Sequence, residues 1–85
     1  MQYQHEPDLN RSAVYDDGRL IGECCYDSSG QRWNIWHTEV DPAYGGQGIA
    51  RELVELVRKA ADEAGAELSA TCSYAYKVLT EEQPG

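Results

Sequence analysis

Three glycines crowd the stretch Val40-Asp41-Pro42-Ala43-Tyr44-Gly45-Gly46-Gln47-Gly48-Ile49-Ala50. Without a Cβ, the backbone at Gly46 and Gly48 can approach a ligand closely and take positive φ. A long amphipathic pattern follows the stretch. The first N–H groups of a helix have no intrahelical partner, and the helix dipole adds partial positive charge there. Strand, glycine turn and helix start together make a cradle for a phosphate or pyrophosphate, with backbone N–H groups from Gly46, Gln47, Gly48, Ile49 and Ala50. The plainer reading of the same residues is a tight turn that binds nothing. Arg51, one step into the helix, is either a phosphate contact or a solvated helix residue.

Three further positions carry acid–base or nucleophilic chemistry. His37 lies in a run of aromatic and β-branched residues. An imidazole, with an ordinary pKa of about 6.5, can take a proton from an ammonium near neutral pH. The alternative is a hydrogen-bonded core histidine. Cys72 ends a strand-like segment just before Ser73 and a short helical pattern, and a helix start lowers a thiol's pKa. Cys72 is therefore a nucleophile, a residue that packs against a ligand, or a buried inert thiol. Tyr74 and Tyr76 are phenols near the same site, and on residue type alone they read as packing rings with wet hydroxyls. No Cys-x-x-Cys or His/Cys spacing suggests zinc, and no metal is expected.

The elements that must position these residues follow from periodicity. Residues Met1 to Asn10 read as an ordered lead-in or a ragged first strand. Arg11 to Tyr15 is a strand with Ala13 and Tyr15 on one face. Asp16-Asp17-Gly18-Arg19 then signals a tight hairpin. Leu20 to Asp27 returns, with Leu20, Gly22, Cys24 and Tyr26 on the less polar face, so Cys24 points into the core. Arg32 to Val40 is a third strand, alternating Trp33, Ile35, His37 and Glu39 against Asn34, Trp36, Thr38 and Val40. The helix spans about Gln47 to Ala64, with an apolar stripe at Leu53, Leu56, Val57, Ala60, Ala61 and Ala64. Glu55 and Lys59 are spaced for an ion pair, and Gly65 ends the helix. Ala66 to Thr71 is a strand parallel to the third. Ser73 caps a short helix from Tyr74 to about Leu79, and Thr80 to Gly85 is a frayed tail.

Composition narrows the class. A chain of 85 residues reads as one domain over residues 1–85 with one modest core. The net charge of −8 opposes nucleic-acid binding and favours solubility or a cationic partner. No segment is apolar enough to span a bilayer, and no secretory signal is visible, so neither membrane nor export is expected. Three cysteines, two of them adjacent, make no disulfide framework and suit a cytoplasmic setting.

Gly45-Gly46-Gln47-Gly48-Ile49-Ala50 resembles the Gln/Arg-x-x-Gly-x-Gly/Ala loop of the GNAT superfamily of N-acetyltransferases, with Gly45 standing where Gln or Arg is usual. His37-Thr38-Glu39-Val40-Asp41-Pro42, Gly46-Gln47-Gly48-Ile49-Ala50, Leu53-Val54 and Cys72-Ser73-Tyr74 occur in the order found in the small single-domain YjdJ-like acetyltransferases. The resemblance spans roughly Leu20 to Leu79. It implies an α/β (α+β) fold: a truncated GNAT core, with a mixed, mostly antiparallel sheet, one long helix after the glycine turn and a short C-terminal helix. It implies acetyl-CoA as acyl donor, held where two strands splay apart. Its pyrophosphate lies on the turn from Gly45 to Ala50 with Arg51 nearby, and its pantetheine arm lies beside Val40. It further implies acetyl transfer to an unidentified amine, with Cys72, His37 and Tyr74 as catalytic candidates. The competing reading is a non-catalytic acyl-CoA-binding or interaction module.

Overall fold

A computed structural model describes residues 1–81. One five-stranded sheet runs in chain order: β1 (Gln2–Glu6), β2 (Arg11–Asp16), β3 (Arg19–Ser29), β4 (Arg32–Val40) and β5 (Glu67–Ala70). The first four strands are antiparallel, and β5 lies parallel to β4. Two helices follow the glycine turn and the last strand: α1 (Ile49–Glu63) and α2 (Ser73–Glu81). This is the mixed, mostly antiparallel sheet that the sequence implies. The N-terminal lead-in is a regular strand, paired with β2 from Gln2–Tyr15 to Glu6–Arg11. Asp17 and Gly18 both take positive φ at the β2–β3 hairpin, as an Asp-Gly turn between right-twisted strands requires.

Several boundaries differ from the sequence reading. Helix α1 begins at Ile49 because Gly48 sits in the left-handed region as its N-cap, which leaves Gln47 in the turn. Its buried stripe is Ile49, Leu53, Val54, Val57 and Ala61, so Val54 joins the core while Leu56 and Ala60 are only half-buried. Glu55 pairs with Arg58, whose Nε lies 2.8 Å away, one residue short of the expected Lys59. Helix α2 starts at Ser73 and continues through Thr80 and Glu81. The rest of the expected tail, residues 82–85, lies outside the described residues.

Two β-bulges reset which side chains share a face. Between β2 and β3, Val14 opposes Gly22 and Tyr15 opposes Leu20, so Ile21 is an extra residue. It drops into the core while Leu20 is exposed. Between β3 and β4, Cys25 opposes His37 and Tyr26 opposes Ile35, so Trp36 is extra. A strand that gains one residue reverses its alternation. Ile35 therefore shares a face with Thr38 and Val40, while His37 and Glu39 lie on the other. The face of Ile35 is the core face, where Val14, Cys24, Tyr26 and Ile35 pack against Leu53, Val54 and Val57 of α1 and Ala75 and Val78 of α2. On β2 the core face is Ser12 and Val14; Ser12 Oγ donates to Leu53 O at 2.8 Å and ties the strand to α1.

The opposite sheet face carries a polar ladder. Arg11 reaches Glu6 at 2.7 Å and Glu23 at 2.9 Å, and Tyr15 donates to Glu6 at 2.6 Å. Ala13 lies on this face, wholly buried yet outside the core cluster. In register it is surrounded by those longer side chains.

The seating of α1 on the sheet depends on Gly22. A Cβ there would lie 3.0 Å from Val14 Cγ1, 3.2 Å from Leu53 Cδ1 and 3.3 Å from Glu39 O. Gly22→Ala is expected to cost about 1–3 kcal/mol through overpacking, read as a lower urea midpoint at unchanged m-value. An unchanged midpoint would mean that α1 does not sit this close. The ladder makes stability depend on pH. Hydrogen bonds from Tyr15 and then Arg11 hold the Glu6 carboxyl below its ordinary value. A lowered folded-state pKa stabilises the fold above the unfolded value, and that contribution disappears as pH falls through the folded one. Glu6→Gln should therefore flatten the acid limb of the stability curve relative to the wild type, measured by urea titration at stepped pH.

Candidate functional site

The site begins where β4 and β5 part. Their parallel pairing runs from Arg32–Glu67 to Ile35–Ala70 and stops at the Trp36 bulge, although β4 continues to Val40. The N–H groups of Thr71 and Cys72 both return to Ile35 O, at 2.9 and 3.1 Å, and turn the chain out of the sheet. This leaves a gap with the far half of β4 on one side and Cys72 and the start of α2 on the other.

Cys72 serves as the N-cap of α2: its carbonyl accepts the first intrahelical bond from Tyr76 N–H at 2.9 Å. Burial alone would push its thiol up. Hydrogen bonds outweigh burial and hold it below the ordinary thiol value. They come from the Ala75 backbone, the Thr38 hydroxyl, the Tyr74 backbone and the Thr38 backbone. The Thr38 hydroxyl lies 3.6 Å from Cys72 Sγ and also 3.6 Å from Cys24 Sγ. Burial pushes the Cys24 thiol up to about 11, so the two sulfurs that flank one hydroxyl have opposite tendencies.

The glycine turn is held from outside the motif. Asp41 N–H donates to Ile21 O at 2.8 Å, and the Asp41 carboxylate accepts from Ala43 N–H at 2.9 Å to start a one-turn 3₁₀ helix, Pro42–Tyr44. Tyr44 donates its hydroxyl to Asp16 at 2.6 Å, and Arg19 reaches Asp41 at 3.3 Å. The β2–β3 hairpin thus positions the turn. Gly46 and Gly48 take φ of 79° and 75°, and among the described residues, chain neighbours aside, nothing lies within 4 Å of where either Cβ would stand. Among the described residues no side-chain hydrogen bond caps the start of α1. Helix geometry leaves its first N–H groups without an intrahelical partner, the arrangement that an anion needs.

A shallow cavity of about 260 Å³ lies over this end, lined by Val40, Tyr44, Gly45, Gly46, Gly48, Ile49, Ala50 and Tyr74. The structure thus brings together the turn, the end of β4 and one tyrosine of α2. Gln47 is exposed and outside the lining, and Tyr76 is exposed. Arg51 lies 2.8 Å from Glu81 of α2. His37 is not brought to the gap: it projects from the face opposite Thr38, with Nε2 3.1 Å from Glu39 Oε1. Sequence reasoning missed Thr38, whose place depends on the bulge. It also missed Tyr44 and Asp16, whose contact joins residues 28 positions apart.

The thiolate is the form that reacts with alkylating agents. A lowered pKa moves the reactivity of Cys72 to lower pH. Burial and then Glu23 push the Cys25 thiol up to about 11, and Cys24 is pushed equally far. Limiting iodoacetamide near neutral pH should label Cys72 first, followed by peptide mass spectrometry. Labelling of Cys25 ahead of Cys72 would contradict the hydrogen-bonded cradle around the Cys72 sulfur.

Comparisons with known proteins fit this geometry. A protein from Staphylococcus aureus described as GCN5-like is similar at TM-score 0.73 and 28% identity, covering 95% of this chain and 79% of that one. The ribosomal-protein-S18-alanine N-acetyltransferase from Escherichia coli superposes at TM-score 0.71 and 17% identity, covering 93% and 50%. N-acetylglutamate synthase from Neisseria gonorrhoeae, complexed with coenzyme A and N-acetyl-glutamate, superposes at TM-score 0.70 and 20% identity, covering 85% and 18%. These last two likenesses show the fold alone, and the chain spans half or less of either enzyme. No curated protein matches the sequence. The family profile described as GCN5-related N-acetyl-transferase matches residues 11–84, and the chain belongs to that family.

Proposed function

We propose that the chain is an acetyl-CoA-dependent N-acetyltransferase whose donor lies along the glycine turn and the open edge of β4. The observation that carries this reading is the uncapped start of α1 opening onto a cavity that continues to the end of β4. Backbone N–H groups from Gly46 to Ala50 hold the pyrophosphate. Gly45 contributes backbone only. Arg51 reaches a phosphate by exchanging Glu81 for it. Val40 and the unpaired edge of β4 bond the pantetheine arm as an added strand would. Acetyl-CoA, when bound, supplies the activated acetyl thioester.

At the gap, the Thr38 N–H that faces the Cys72 sulfur is placed to polarise a carbonyl oxygen. In the direct route a neutral amine nitrogen attacks the acetyl carbon, the carbon–sulfur bond breaks, Tyr74 protonates the departing CoA thiolate, and the proton released by the nitrogen returns through solvent to the Tyr74 phenolate. In the covalent variant the Cys72 thiolate attacks the acetyl carbon and CoA leaves as a thiolate that Tyr74 protonates; the amine then attacks the Cys72 thioester, the carbon–sulfur bond breaks to restore the Cys72 thiolate, and the nitrogen's proton returns through solvent to Tyr74. The acidic chain favours a cationic acceptor: a lysine side chain, a protein N-terminus or a polyamine. Within the family we place the chain in the small YjdJ-like subgroup. The ordered His-Thr, Gly-x-Gly-Ile-Ala and Cys-Ser-Tyr motifs support this.

One observation favours the non-catalytic acyl-CoA-binding module: Gly45 removes a side-chain contact usual at the donor loop. Two measurements separate the readings. Acetyl-CoA titration followed by backbone amide NMR should give saturable shifts centred on Gly46, Gly48, Ile49, Thr38 and Cys72; absence of shifts at high ligand overturns both. Turnover on an amine panel then supports the enzyme. Tyr74→Phe should lower kcat by about 10²-fold with little change in KM for acetyl-CoA, as expected when a proton donor is lost. Donor binding without turnover on any amine supports the module.

A further inference from the structure

The outer face of β3 and β4 carries a square of side chains that the acetyl-transfer reading does not use. Cys25 opposes His37, and Glu23 opposes Glu39. His37 Nε2 lies 3.1 Å from Glu39 Oε1 and 3.8 Å from Glu23 Oε2. One ligand atom from each of these three residues lies within 4.8 Å of the others. Ligands bonded at about 2.0–2.2 Å around a tetrahedral ion sit about 3.3–3.6 Å apart, and the two separations from His37, 3.1 and 3.8 Å, lie on either side of that range.

We propose that Glu23, His37 and Glu39 bind one divalent first-row transition-metal ion, Zn²⁺ being the ion that we name. Imidazole with two carboxylates is a donor set such ions accept, whereas Mg²⁺ and Ca²⁺ prefer oxygen alone. The arrangement of Glu23 supports the assignment. Its Oε1 accepts from Arg11 at 2.9 Å, and Arg11 is itself held by Glu6 at 2.7 Å, so Oε2 is presented towards His37 in a fixed direction. A hydrogen bond to a ligating carboxylate fixes its orientation in this way. The Glu39 side chain is 69% exposed and the His37 side chain 37%, which leaves the remaining coordination positions to water. Residues two apart on one strand and a directly opposed residue on the next present three ligands on one sheet face. That pattern depends on β3–β4 register, which is why the chain's Cys and His spacing gives no zinc signal. The proposal does not depend on acetyl transfer.

Chelator-stripped protein, titrated with zinc chloride alone by calorimetry and amide NMR, tests the assignment. One equivalent should bind, with shifts centred on Glu23, His37 and Glu39. His37→Ala and Glu39→Gln should each weaken binding by at least about tenfold, while Cys72→Ala leaves it unchanged. Circular dichroism identical to wild type for Glu39→Gln, at an exposed position, keeps that comparison free of unfolding. Three results would overturn the proposal: no saturable binding, binding that survives both ligand variants, or binding lost in Cys72→Ala. In the last case the ion belongs to the thiol at the gap.

Discussion

One extra residue in β4 is the constraint on which the rest of the molecule depends. Parallel strands stay paired only while their N–H and C=O groups keep register. The bulge at Trp36 breaks that register after Ile35–Ala70. Two N–H groups then converge on the Ile35 carbonyl, and the chain leaves the sheet before its neighbour ends. An unpaired strand edge is ordinarily a liability that proteins cover or charge. Here the start of α2 and the Cys72 side chain stand beside it. Strand geometry alone therefore makes the opening into which an extended ligand fits. The same bulge decides that Thr38 faces the core-side sulfurs while His37 faces the polar ladder.

What could be read from the sequence follows the range of the forces involved. The Asp-Gly hairpin, the glycine turn, the amphipathic helix and the parallel return strand are specified by neighbouring residues, and each stands where local chemistry puts it. The bulges at Ile21 and Trp36 depend on which partner residue each strand meets, and no local pattern encodes that. The alternation in β4 was therefore legible up to Ile35 and reversed beyond it. Of the candidate site, Val40, the glycines, Ile49 and Ala50 were legible as one group because their motif is continuous, whereas Tyr74, on another helix, was legible only through the Cys-Ser-Tyr resemblance. Thr38, Tyr44 and Asp16 were not, because each acts through a partner distant in sequence.

Cys24 and Cys72 illustrate how placement, not residue type, sets chemistry. Both sulfurs lie 3.6 Å from the same hydroxyl. Cys24 is wholly buried, and desolvation disfavours its charged form. Cys72 stands at a helix start, where the N–H groups of Tyr74 and Ala75, which have no partner within the helix, point at the sulfur. The Thr38 hydroxyl can turn its proton to either sulfur. It responds to charge on Cys72 without any movement of the backbone, which is the kind of preorganisation that favours a reactive thiolate or a developing negative charge at this point.

The open face of the sheet raises a different problem. A short chain buries a smaller fraction of its surface than a larger domain does, and one layer of helices leaves a whole sheet face to water. Arg11 addresses this by spanning β1, β2 and β3 through Glu6 and Glu23, with Tyr15 closing over Glu6. Exposed ion pairs contribute little singly, but this group is mostly screened from solvent, and each member has a second partner or a buried neighbour. Ala13 can then be wholly buried on a face that no helix covers. The arrangement also fixes Glu23 against β4, so the packing that shields the sheet and the geometry around His37 are set by one guanidinium. Shortening Arg11 would loosen both together, which ties the stability of the open face to the ion binding proposed for the Glu23–His37–Glu39 group.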